Sequence, residues 1–171
     1  MIVVLLGYMG SGKSSVGRAL STDLGLKFVD LDTAITEKVN MDIPQIFSEK
    51  GELFFRKLET EVLKQLLGQQ TDLVLALGGG TPCYGNNMDI VSSHTDNSFY
   101  LKLSISGLVN RLVKEKEQRP LIKDISDEAL PEFIGKHLFE RSPFYSRANH
   151  TIAIEHQNIE VISKQIRALL I

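Results

Sequence analysis

Residues Gly7 to Ser14 read Gly-Tyr-Met-Gly-Ser-Gly-Lys-Ser, a full G-x-x-x-x-G-K-[ST] octapeptide placed directly after the apolar run 2–6. No other stretch restricts the fold as strongly. A backbone can wrap a phosphate chain with its N–H groups only where it turns tightly and no Cβ intervenes, and Gly7, Gly10 and Gly12 supply that freedom. The helix expected to begin near Gly12 aims its free N–H groups and partial positive charge at the anion. In this pattern Lys13 reaches the outer phosphate oxygens and Ser14 a magnesium ion, while Gly10, Ser11, Gly12 and Ser15 complete the cradle. The four fixed positions coincide by chance in on the order of one chain in a hundred of this length. Context lowers that further, because Val16, Leu20 and Leu24 recur at helical spacing immediately after the loop.

With 171 residues the chain has room for one α/β domain with a proper core, taken as residues 1–171. Its 43% hydrophobic and 23% charged residues are those of an ordinary globular protein. A net charge of -2 gives no global attraction to nucleic acid or anionic lipid, so neither is expected as a partner and any anion must be held locally. The sole cysteine, Cys83, excludes an intramolecular disulfide and argues against a cysteine-based zinc site. It fits a reducing compartment, and a cytoplasmic location is expected. The apolar start lacks a basic leader and runs straight into the glycine loop, which reads as a first strand rather than a signal peptide. No stretch approaches the length of apolar chain a membrane span needs.

Strand-like runs fall at 2–6, 27–30, 72–77, 98–103 and 151–154, and helical patterns at 13–24, 33–39, 43–67, 85–92, 106–116, 127–146 and 158–170. Such alternation implies a three-layer α/β/α fold around a five-stranded, mostly parallel sheet. Two segments depart from it. The stretch 43–67 is long and broken near Gly51, with Phe47, Phe54 and Phe55 beside Arg56 and Glu59. The stretch 114–127 is charged and lacks a sustained apolar face, as a lid that must leave the core cheaply requires.

The loop alone does not separate a GTPase, a motor ATPase and a small-molecule kinase. A guanine-reading Asn-Lys-x-Asp is absent, as is a switch Asp-x-x-Gly. Motor ATPases end an apolar strand in an acid, whereas the run 73–77 ends in Gly78, Gly79 and Gly80. The acidic partner of a metal ion must then come from Asp30 or Asp32, which close the second strand and reach the same sheet edge as the loop.

Six motifs in order extend over essentially the whole chain: the phosphate loop, Asp30-x-Asp32, Phe55-Arg56-x-x-Glu59, Gly78 to Gly80, Arg119-Pro120-Leu121, and Arg141-x-Pro143-x-Tyr145. Together they resemble the shikimate kinases, within the nucleoside monophosphate kinase-like group of P-loop proteins. The resemblance implies ATP-dependent phosphorylation of the shikimate 3-hydroxyl, with Mg2+, in the route to chorismate and the aromatic amino acids. It also implies a monomer. A helical segment at about 33–61 would bind the substrate and a lid at about 112–126 would close over it. On this resemblance Arg56 and Arg141 hold the shikimate carboxylate, Asp32 takes the ring hydroxyls, and Gly78, Gly79 and Gly80 border the ring. Lys13 and Arg119 stabilise the moving phosphoryl group, and Asp30 joins Ser14 at the metal. Arg111 stacks on adenine with Gln157 bordering it, although the lid is about one residue longer than the pattern expects. The alternatives are another small-metabolite kinase, such as one for gluconate, and a catalytically silent nucleotide binder. The residues also allow plainer roles: Asp30 as a helix cap, Arg56–Glu59 as a surface helix pair, and Cys83 as an inert small residue. His94, His137, His150 and His156 show no metal-ligand spacing.

Overall fold

All five apolar runs pair side by side. In a computed structural model, which describes residues 1–69 and 71–171, β1 (Ile2–Leu6), β2 (Lys27–Asp30), β3 (Leu73–Ala76), β4 (Ser98–Lys102) and β5 (His150–Ala153) form one parallel sheet in the order β2-β3-β1-β4-β5. The central strands are buried on both faces, which is why β1 and β3 are apolar throughout rather than alternating. Register fixes what the sheet delivers to its C-terminal edge. Ala76 lies level with Leu5 on one side and Asp30 on the other, so the phosphate loop, the triple glycine and the end of β2 emerge together.

The helices α1 (Lys13–Leu24), α2 (Leu31–Val39), α3 (Ile43–Lys50), α4 (Glu52–Gly68), α5 (Asn87–His94), α6 (Ile105–Glu115), α7 (Leu130–Tyr145) and α8 (Ile159–Leu169) complete the three layers. The expected helical stretch 43–67 is two helices. Gly51, at φ +84, ends α3 and starts α4 in a backbone conformation that only glycine adopts freely. Helix α2 begins at Leu31, two residues before the expected start, because the Asp30 carboxylate accepts from the N–H groups of Asp32 and Thr33. Helix α7 begins three residues later than expected, since Ser126 accepts from Ala129 and Leu130 in a turn that delays it. No helix among the described residues is long and apolar enough to cross a membrane.

The charged stretch after α6 folds as a short 3-10 turn, Lys116–Gln118, followed by further turns. Composition suggested no apolar contact there, yet Ile122 is fully buried and ties the segment to the core. Leu121 beside it remains exposed.

Candidate active site

The phosphate loop needs two glycines in left-handed geometry, Gly10 at φ +78 and Gly12 at φ +89, before α1 can begin at Lys13. Above it lies a cavity of about 350 Å³. It is lined by Gly10, Gly12, Lys13, Ser14 and Ser15 of the loop and α1, by Asp30, Asp32, Gly78 and Gly79 from the sheet edge, and by Arg111, Glu115 and Arg119 from α6 and the segment after it. Of the residues assigned to nucleotide from sequence, two lie elsewhere. Ser11 is buried beneath the loop, its N–H donates to Tyr8 O and its hydroxyl finds no partner among the described residues. Gln157 turns back on its own loop, with Nε2 donating to Ala153 O at 2.9 Å, and it does not line this cavity.

Lys13 Nζ donates to Gly7 O at 2.9 Å and Tyr8 O at 3.0 Å. Burial lowers its pKa to about 8, opposed by the charge of Asp32 and furthered by that of Arg119. Ser14 Oγ donates to Asp30 Oδ2 at 2.8 Å, while Oδ1 of the same carboxylate caps α2. Asp30 therefore fills the plain role of helix cap and also meets Ser14, its expected partner at a metal. Asp32 keeps accessible surface toward the cavity, yet the protein packed around it removes enough water to raise its pKa to about 6, helped by the negative charges of Asp30 and Glu59.

A second group of side chains converges beside the triple glycine. A Cβ at Gly78 would stand 2.8 Å from Asp32 Oδ1, and one at Gly80 would stand 3.1 Å from both terminal nitrogens of Arg56 and 3.5 Å from one of Arg141. A Cβ at Gly79 would meet Arg141 at 3.5 Å. Two guanidinium groups and a carboxylate thus lie close to the turn, and at Gly78 a Cβ would stand nearer to Asp32 than real Cβ atoms come. Arg56 is held by Glu59 Oε2 at 3.1 Å and lies over the Tyr84 ring at 3.6 Å. Glu59 is 1% exposed, so this pair is a buried fixture and not the surface pair that its i, i+3 spacing allows. Arg141 makes no salt bridge among the described residues. Arg56 is met by the buried Glu59 and, at 3.6 Å, by the exposed Glu52, so the unpaired Arg141 supplies the surplus positive charge, suited to an anion with a planar, forked outline.

Several contributors were given no role from sequence, although Tyr145 closes the last of the six motifs. Tyr145 donates its hydroxyl to Gly79 O at 2.6 Å, fixing the turn from α7. Tyr8 shares a hydrogen bond with His137 Nδ1 at 2.8 Å, and burial pushes its hydroxyl up to about 12. Glu115 accepts from Arg119 Nε at 3.0 Å and from a terminal nitrogen at 2.6 Å. Their i, i+4 spacing on a helical pattern was the one available hint for that last pair.

The parallel sheet, the loop at its edge and the charged cavity define a P-loop protein of the small-molecule kinase type. The pattern of the shikimate kinase family matches residues 9–170, and the chain belongs to that family. A shikimate kinase of Flavobacterium johnsoniae is 44% identical over 168 residues, covering 98% of both chains. The structure is similar to a crystal structure of shikimate kinase from Bacteroides thetaiotaomicron, with TM-score 0.91, 32% identity and 99% and 97% of the two chains covered. It is also similar to shikimate kinase from Acinetobacter baumannii in complex with shikimate, with TM-score 0.87, 32% identity and 98% and 91% covered.

Proposed function

We propose that the chain transfers the γ-phosphoryl group of ATP to the 3-hydroxyl of shikimate, giving shikimate 3-phosphate and ADP. The observation that carries this reading is the placement of Asp32 and the Arg56–Arg141 pair on the same glycine turn, beside the phosphate loop. That arrangement suits a small acid with hydroxyls. Arg56 and Arg141 hold the carboxylate and turn the hydroxyl edge of the ring toward Asp32. Asp32 orients the attacking hydroxyl and accepts its proton as the oxygen bonds to the γ-phosphorus. The bond from that phosphorus to the β,γ-bridging oxygen breaks, and its electron pair leaves on ADP.

Because the phosphoryl transition state is loose, the protein's task is to position groups and to meet charge on the peripheral oxygens. The loop N–H groups and Lys13 serve that task at the phosphate loop. Arg119 serves it from the lid at about 112–126, after parting from Glu115, and Arg111 lies at the nucleotide end of the cavity. Ser14 and Asp30 offer only oxygen donors, a set that fits Mg2+ holding several of its waters. When bound, the ion supplies charge neutralisation between the phosphates. A catalytically silent role is not favoured, since it gives no use to the convergent arginines, and gluconate, also a small acid with hydroxyls, is disfavoured because the chain belongs to the shikimate kinase family.

A coupled assay of ADP release, run with shikimate, gluconate and AMP offered separately, tests the proposal. Turnover with shikimate alone is expected; turnover with either of the others and none with shikimate would overturn it.

A further inference from the structure

Thr81 and Asn87 are polar side chains with no exposure at all, and neither touches the cavity. They lie between the triple glycine and α5, where Thr81 opens a short 3-10 turn and Asn87 opens the helix. We infer that Thr81 and Asn87 are positioning residues that fix Arg56 as the holder of the substrate's carboxylate. The inference rests on the reading of Arg56 given above.

The contacts form a closed circuit. Thr81 Oγ1 donates its one proton to Glu59 Oε1 at 2.6 Å, and the other oxygen of that carboxylate accepts from Arg56 at 3.1 Å. With its oxygens divided between two partners, the carboxylate cannot turn without losing one of them. Thr81 O accepts from Asn87 Nδ2 at 2.9 Å, and Asn87 Oδ1 accepts from Thr60 Oγ1 at 2.8 Å. Thr60 follows Glu59 on α4 and lies one turn beyond Arg56, so the circuit starts and ends on the same helix. Helix α4 is thereby joined to the glycine turn at two points.

Stability alone is a poor reason for this construction, since a pair of buried hydrogen-bonding groups can be exchanged for apolar groups of the same shape at little net cost. Alignment is the better reason. Arg56 Nε makes no hydrogen bond among the described residues and only a 3.6 Å ion pair with the exposed Glu52, so Glu59 and the Tyr84 ring are its buried and close anchors. A Cβ at Gly80 would stand 3.1 Å from both of its terminal nitrogens, so the fork lies tightly against the turn and its rotation changes the shape of the site. Thr81 also stands beside Gly78, where a Cβ would lie 3.0 Å from its hydroxyl and 2.8 Å from Asp32 Oδ1. Thr81 thus stands close to the hydroxyl end of the site as well as joined to its acid end.

The test compares the full chain with Thr81→Val, which keeps the shape and loses the donor, and with Thr81→Ser, which keeps the donor. Thr81→Val is expected to raise the shikimate KM about tenfold, equivalent to ~1.4 kcal/mol, with the ATP KM and kcat within about twofold. Thr81→Ser should restore the shikimate KM. Thr60→Val opens the circuit at its solvent-facing end and should raise the shikimate KM about threefold, a readout that survives if Thr81→Val does not fold. An unchanged shikimate KM in both valine variants, KM values for the two substrates rising in step, or failure of serine to restore would overturn the inference. Absence of shikimate turnover in the unaltered chain would instead overturn the functional reading beneath it.

Discussion

Acidifying the ligand-free enzyme through pH 6 should discharge Asp32 well before an ordinary aspartate, and that single event has a measurable kinetic shape. Burial, then Asp30 and then Glu59, raise the Asp32 pKa to about 6, while burial lowers that of Lys13 to about 8. Activity as proposed needs Asp32 ionised and Lys13 protonated. The rate at low concentrations of both substrates, which reports groups on the free enzyme, should therefore be bell-shaped with limbs near those two values. One unit below the acid limb, about one molecule in eleven keeps the Asp32 charge, so pH 5 should cost about tenfold; pH 9 should cost about as much through Lys13.

Two substitutions tell these limbs apart from titration of the substrates. Glu59→Gln removes a charge that raises Asp32 and has no resolved influence on Lys13, so only the acid limb should move, and downward. Asp30→Asn removes a charge that raises both groups, so both limbs should move to lower pH. Each variant will have lower absolute activity, because Glu59 anchors Arg56 and Asp30 meets Ser14, but limb positions are read from normalised profiles. Limbs that stay fixed in both variants would belong to the substrates and would refute the assignment.

Arg141→Ala should raise the shikimate KM by roughly ten- to a hundredfold, the loss of a charge-assisted contact worth about 1.5–3 kcal/mol, and leave the ATP KM little changed in the same assay. Arg119→Ala should lower kcat by about a hundredfold or more with a smaller effect on either KM, as single-turnover kinetics would record. Asp32→Asn should abolish turnover and raise the melting temperature of the ligand-free protein at pH 7. The sign follows from linkage: folded Asp32 holds its proton more tightly than the unfolded chain, so stability falls as pH rises from about 4 to about 6 and the deficit persists above. Calorimetry below pH 4 should find the two proteins alike in this respect.

The sheet and the loop were legible because each rests on a local rule. Apolar runs bounded by glycine and acid give strands, and the octapeptide carries its own geometry in Gly10 and Gly12. The arginines were legible only as parts of motifs, since nothing local to position 56 or 141 says that α4 and α7 deliver them to one glycine turn. Glu59 was ambiguous for the same reason: i, i+3 spacing is identical on a solvated face and in a buried fixture, and burial is decided by Thr81, 22 residues away. Gln157, expected beside adenine, has its amide on Ala153 O of its own loop, a local contact that the sequence does not announce. Ile122 escaped notice because one apolar anchor in a charged stretch has no periodicity to reveal it.

Lys13, already seated between the carbonyls of Gly7 and Tyr8, makes nucleotide arrival an exchange of partners rather than a capture by a loose arm. On the proposed reading these two N–H···O=C bonds would give way to phosphate oxygens, with no change required in the path of the backbone that carries the ammonium. Most of the ordering cost of the loop is thus met during folding, when Gly10 and Gly12 adopt their left-handed turns, and little of it remains to weaken the encounter.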